Sequence, residues 1–138
     1  MSYYAVIDTN VIVSAMIKWD SVPGNILQYA FEGHITPILN EEIVKEYRAV
    51  LMRPKFHLTD DIVNSVLDRL EENGLYMDAE SLEIELPDSE DLVFYEVVME
   101  SRKTEETYLV TGNIKHFPRE YYIVSPREML DILEKEKF

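Results

Sequence analysis

Asp8, Glu46 and Asp91 are the residues whose type and spacing suggest chemistry, and three carboxylates meeting in one cleft would make a divalent-cation site. Asp8 closes the apolar run Tyr3-Tyr4-Ala5-Val6-Ile7 and is followed at once by Thr9 and Asn10. A short apolar run rich in aromatic and β-branched residues reads as a buried parallel strand. The carboxyl end of such a strand is where open α/β sheets bind ligands. A charge buried there is costly unless it is paired or holds a metal. Asp88 and Asp91 stand three apart at the amino end of an apolar helix, and so on one face. Glu46 precedes Tyr47 in the buried stripe of another helix. Carboxylates that converge repel one another, and one keeps a proton unless a cation neutralises them. Oxygen donors suit Mg²⁺ or Mn²⁺. Such ions acidify a bound water and stabilise both oxygens of an in-line displacement at phosphorus. The chemistry is that of a phosphodiesterase or nuclease built without His or Cys.

Each acid also has a plainer reading. Asp88 is a natural N-cap and Asp91 stands three residues on, so the pair can be a capping box. Glu46 can be a solvated helix residue. The acids from Asp78 to Glu106 number eleven, opposed only by Arg102 and Lys103, and most read as a solvated face.

The elements that would position these residues alternate between strand and helix. A helix starts near Thr9, with Val11, Ile12, Ala15 and Met16 at helical spacing. Ser21-Val22-Pro23-Gly24 marks a loop, and Ile26, Leu27, Ala30 and Phe31 form a second amphipathic helix stopped near Gly33. Residues 35–39 read as a strand. Asn40 is an expected N-cap with Glu41 and Glu42 in the first turn, ahead of the stripe Ile43, Tyr47, Val50 and Leu51. Arg53-Pro54 ends that helix. Thr59 caps the next, which Asn73-Gly74 closes. A weak strand follows either at 75–77 or at 82–86. A buried helix is expected from about Ser89 to Arg102, then strands at 107–111 and 121–124. Ser125-Pro126-Arg127-Glu128 is a capping box that opens a last helix. This alternation predicts a parallel sheet covered by helices, with all strand carboxyl ends along one edge.

Composition narrows the class. The 138 residues suffice for one domain with a real core, and no repeat or linker divides 1–138. Cysteine is absent, so a disulfide framework and thiolate zinc sites are excluded, as fits a reducing compartment. No signal-peptide pattern and no run of about 20 apolar residues is present, so an intracellular location is expected. The net charge is −14, from 27 acids against 13 bases, which argues against a broad basic surface for nucleic acid. Arg48, Arg53, Lys55, Lys115 and Arg119 are either a basic rim for RNA phosphates or ordinary surface bases. His116 is expected to be a loop residue rather than a ligand. Trp19, between the first two helices, either stacks on a base or packs locally.

Four segments carry a resemblance. They are Val6-Ile7-Asp8-Thr9-Asn10; Glu42 to Leu51 with Arg53-Pro54-Lys55-Phe56; Pro87-Asp88-Ser89-Glu90-Asp91; and Leu109-Val110-Thr111-Gly112-Asn113 with Lys115-His116-Phe117-Pro118. In this order the chain resembles the PIN domain family, and within it the branch of toxin components of prokaryotic toxin–antitoxin pairs. The resemblance implies a three-layer α/β/α fold with a central parallel sheet of about five strands. It implies a Mg²⁺- or Mn²⁺-dependent ribonuclease acting on single-stranded RNA in the cytoplasm, with an antitoxin protein as partner and a homodimer as the assembly. It assigns catalytic and metal-binding roles to Asp8, Glu46 and Asp91. Thr111 would be a supporting polar residue, and Asn10 would orient Asp8 or a bound water. Many members carry an aspartate where this chain has Asn113. An amide can coordinate through its oxygen but brings no charge, and Asp88 would then compensate in part. The competing function is a non-catalytic PIN-like module that binds RNA or a protein partner. A haloacid-dehalogenase-like reading is disfavoured, because Asp8-Thr9-Asn10 lacks that pattern's second aspartate.

Overall fold

The computed structural model describes residues 2–135. Five parallel strands form the sheet in the order β3-β2-β1-β4-β5, with β1 at Tyr3–Ile7, β2 at Ile35–Leu39, β3 at Leu75–Tyr76, β4 at Thr107–Val110 and β5 at Ile123–Val124. The helices among the described residues are α1 (Thr9–Ile17), α2 (Val22–Phe31), α3 (Glu41–Leu51), α4 (Asp60–Asn73), α5 (Leu92–Arg102) and α6 (Pro126–Lys135). They flank the sheet in a three-layer α/β/α arrangement. α5 packs against β1, β2 and β4, while α2 packs against α1, α4 and α6. No helix among the described residues is long and apolar enough to cross a membrane.

The strand order reverses at β1. The chain steps outward from β1 to β2 and β3, then returns through α5 to place β4 on the other side of β1. Loops leaving β1 and β4 therefore diverge at their carboxyl ends, which opens a crevice at that edge. The two ends are held in register by Val6 opposite Leu109 and Ile7 opposite Val110. The Asp8 N–H donates to the Val110 carbonyl at 2.9 Å, so the register continues one residue past β1.

Local signals set most element boundaries. Asn40 accepts the Ile43 N–H at 2.8 Å, and Thr59 accepts the Ile62 N–H at 3.3 Å. The expected capping box at α6 is reciprocal: Ser125 N–H donates to Glu128 and Glu128 N–H donates to Ser125. Gly33 adopts φ +84°, the left-handed stop expected after α2.

Three boundaries differ from the expectations, and one left open between two places is decided. Ser21-Val22-Pro23-Gly24 is not a loop; Ser21 caps α2 by accepting the Gly24 N–H, and Pro23 falls in the first turn, where its missing N–H is harmless. A Cβ on Gly24 would come within 1.8 Å of the Trp19 carbonyl oxygen, so the tight α1–α2 corner requires glycine. The helix expected from Ser89 begins at Leu92, after a 3₁₀ turn at Ser89–Asp91. Asp88 accepts the N–H of Glu90, two residues on, and that short reach tightens the turn. Of the two weak strands, 75–76 pairs with β2, while 82–86 forms no strand. The Leu82 N–H donates instead to Glu96 on α5 at 2.7 Å, and the Glu80 N–H to Glu100 at 3.2 Å. The last two strands are also shorter than expected: Thr111 lies just beyond β4, and Tyr121 and Tyr122 lie in the turn before β5.

Tyr47 ties the α3 scaffold to the sheet. It is fully buried against Phe94, and its hydroxyl donates to the Ile7 carbonyl at 2.5 Å. Burial, with Asp8 and Glu46 nearby, pushes the phenol well above its ordinary range, so the donor stays protonated. Tyr47→Phe removes that donor from a buried carbonyl. It is expected to cost about 1–3 kcal/mol of stability, measured by urea unfolding, because a buried acceptor loses its partner.

Candidate active site

Asp8 stands at the end of β1 with only 4% of its surface exposed. Its Oδ2 accepts the Thr111 hydroxyl at 2.8 Å and the Asn10 amide at 3.3 Å. Thr111 is itself buried, and its Oγ1 accepts the Asn113 N–H at 3.0 Å. Asn10 in turn accepts the Gly112 N–H at 3.0 Å. The turn after β4 is thus fastened to the first turn of α1 through the side chains around Asp8.

Glu46 reaches the same region from α3, where the Thr9 hydroxyl donates to its Oε2 at 2.5 Å. Asp91 lies at the start of α5, 9% exposed, with its Oδ2 at 3.1 Å from His116 Nδ1. Asp8, Glu46 and Asp91 line one open cleft of about 340 Å³, together with Asn10, Asp88, Glu90, Asn113 and His116. The structure therefore brings together Asp8, Asn10, Glu46, Asp88, Asp91 and Asn113, with Thr111 beneath the cleft holding Asp8.

The electrostatics are those of crowded acids. Burial pushes the Asp8 carboxyl up from 3.8 to about 6; the Thr111 hydrogen bond opposes this, and the Asp91 charge adds to it. Burial also raises Glu46, against the Thr9 hydrogen bond and with the charges of Asp8, Glu90 and Asp88. Asp91 is raised by burial and by Asp88 and Glu46, and lowered by His116. Of the basic rim, Arg53 alone lines the cleft. Arg48 donates to Asn64 at 2.5 Å, and the Lys55 ammonium lies 5.1 Å from the centre of the Phe56 ring. Trp19 is not at the cleft; it stacks on Phe31 at 5.8 Å.

Two sequence readings change. Asp91 does not close a capping box with Asp88, because its carboxylate is turned to His116. His116 is not a detached loop residue: it ends a 3₁₀ turn at Ile114–His116, and one donor atom each from Asp88, Asp91 and His116 lie within 4.8 Å of one another. The local signal for this is Phe117, which is buried against Tyr95 and pins the turn beside the cleft. Histidine partners so distant in sequence leave no periodic trace.

A PIN domain family model matches residues 4–115. No curated protein and no solved structure gives a match. The chain belongs to the PIN domain family, whose members are generally metal-dependent nucleases, and it carries an acidic cluster of the kind that can hold a metal.

Asp8 also gives the site a pH signature. A carboxyl raised in the folded state carries no penalty below its unfolded value near 3.8, and the penalty grows until pH exceeds about 6. In metal-free buffer, Asp8→Asn should match wild type in stability near pH 3.5. Above pH 6.5 it should be more stable, by up to about 3 kcal/mol. Chemical denaturation across that range measures the difference; a variant less stable at neutral pH would make Asp8 a structural residue.

Proposed function

We propose that this PIN domain protein is a Mg²⁺- or Mn²⁺-dependent endoribonuclease that cuts single-stranded RNA, and that it is the toxin of a toxin–antitoxin pair. The observation that supports the nuclease reading most strongly is the set of five carboxylates, Asp8, Glu46, Asp88, Glu90 and Asp91, around one cleft whose sole Lys or Arg lining residue among the described residues is Arg53. The donor set fits a divalent cation: its oxygens are hard ligands, burial and mutual repulsion raise the carboxyls of Asp8, Glu46 and Asp91, and a cation relieves both costs. Asp8, Glu46 and Asp91 would hold the ion, with Asn10, Asp88, Thr111 and Asn113 in support. When bound, the ion supplies an acidified water and neutralises charge developing on the phosphate.

The remaining chemistry belongs to the chain. Thr111 and Asn10 fix the Asp8 carboxylate, and Thr9 fixes that of Glu46, so neither spends binding energy on reorganisation. Arg53, which lines the cleft, offers a guanidinium to an RNA phosphate. Phe56 lies beside it and offers a ring face to an unpaired base. A single strand presents both groups at once; a duplex keeps its bases stacked inside.

The toxin role, the antitoxin partner, a homodimeric assembly and the cytoplasmic setting rest on the resemblance of the ordered motifs to that branch of the family. The alternative, a non-catalytic RNA- or protein-binding module, is kept in view by Asn113, which lines the cleft with an uncharged amide.

An RNA assay at saturating Mn²⁺, over several unstructured substrates, separates the two. Wild type should cut, Asp8→Asn should fall to background, and Asn113→Asp should cut better at low metal concentration. Arg53→Ala should raise KM by up to about tenfold, the worth of one exposed charge-assisted hydrogen bond. If neither wild type nor Asn113→Asp exceeds the Asp8→Asn control, the chain is a binding module.

A further inference from the structure

Asp88, Asp91 and His116 converge from two separate turns. Asp88 caps the 3₁₀ turn at Ser89–Asp91, Asp91 is buried where α5 begins, and His116 ends the turn that follows β4. One donor atom from each lies within 4.8 Å of the others. His116 Nδ1 and Asp91 Oδ2 are 3.1 Å apart. Two neighbouring ligands of an octahedral ion held at about 2.1 Å are separated by about 3.0 Å, so this spacing is that of a shared ion as well as of a hydrogen bond. The imidazole is not placed by chance. The His116 N–H donates to the Asn113 carbonyl at 2.9 Å, and Phe117 anchors the turn in the core against Tyr95. Around the ring are carboxylates: Asp91 in contact, Asp88 beside it, and Asp8 close enough to feel its charge.

We propose that Asp88, Asp91 and His116 form a cation position with a nitrogen ligand, selective for Mn²⁺ and its transition-metal neighbours over Mg²⁺. The inference rests on the reading of this cleft as a cation site, and refines it. Imidazole nitrogen suits Mn²⁺, Fe²⁺, Co²⁺ and Zn²⁺, whereas Mg²⁺ prefers an all-oxygen shell and gives up its waters reluctantly. A ligand at His116 also supplies what Asn113 lacks: the position is completed from the far end of the same turn rather than by a carboxylate at residue 113.

The competing account is a His116–Asp91 hydrogen bond with no role in metal binding. Pulsed electron paramagnetic resonance on the full chain loaded with Mn²⁺ separates them, because directly bound nitrogen modulates the electron spin echo. The chain has 3 histidines, so the source can be assigned. Wild type should show ¹⁴N modulation, which changes to the ¹⁵N pattern when histidine is ¹⁵N-labelled. The double variant His34→Gln/His57→Gln should keep it, which assigns it to His116 even if His116 variants fail to fold. His116→Gln should lose it, and calorimetry should show Mn²⁺ affinity reduced about tenfold with Mg²⁺ affinity changed less than about twofold. Mn²⁺ bound without nitrogen modulation, or modulation that survives in His116→Gln, would overturn the proposal while leaving a carboxylate-based nuclease intact. Nitrogen modulation in a protein that cuts no RNA would uphold the cation position and remove the nuclease reading.

Discussion

The hydrogen bond from Thr111 to Asp8 joins the ends of two neighbouring parallel strands, and the cleft is organised around it. It forms where β1 and β4 stop pairing and their loops diverge. A carboxylate at that point loses most of its water but gains a hydroxyl and an amide from the chain. The same groups are reused outward. Thr111 also accepts the Asn113 N–H, and Asn10 accepts the Gly112 N–H, so the turn carrying His116 is positioned by the residues that hold Asp8. A single network thus sets both the central carboxylate and the far wall of the cleft. Networks of this kind are worth more than the sum of their bonds, because a broken member leaves buried polar groups without partners.

Holding the acids this way works against stability. Burial lifts Asp8, Glu46 and Asp91 together, and their charges reinforce the effect. The fold offers little relief from its own side chains: Asp91 pairs with His116, while Thr111 and Asn10 on Asp8, and Thr9 on Glu46, are neutral donors. The cost is carried by the remainder of the structure, in which the strands and α5 bury a continuous apolar core including Val6, Ile7, Phe94, Val97, Leu109 and Val110. Strain retained at a site and offset elsewhere is a common mark of function.

Where a residue's role is decided by neighbours a few positions away, the sequence reveals it. The apolar run before Asp8, the Asn40 and Thr59 caps, and the reciprocal Ser125–Glu128 pair all belong to this kind. Asp8 at a strand end was readable for the same reason, since strand and breaker are contiguous. Residues 82–86 mislead because their alternation of apolar and polar residues is real. Leu82, Ile84 and Leu86 do turn partly inward, but the segment lies along α5, where Glu96 takes the Leu82 N–H and Glu100 that of Glu80 just before it, groups that a neighbouring strand would otherwise bind. No local pattern encodes that substitution. His116 is hidden for a related reason: its partner lies 25 positions earlier, and only the return of the chain through α5 and β4 brings them together.

The placement of His116 bears on how a PIN cleft can vary without losing its chemistry. A charged ligand does two things: it donates an electron pair, and it lowers the electrostatic cost of bringing a dication into the cleft. At residue 113 an amide keeps the first and gives up the second. This chain has a surplus of the second, because Asp88 and Glu90 already line the cleft beside the three acids at its centre. With five carboxylates present, a sixth would add repulsion in the metal-free protein, and its help in capturing an ion would count only where the metal is scarce. A neutral nitrogen donor avoids that repulsion and still completes a coordination shell. The asparagine and the histidine, three residues apart on one turn, are then parts of one adjustment: charge is withheld at the first and a softer donor is supplied at the second.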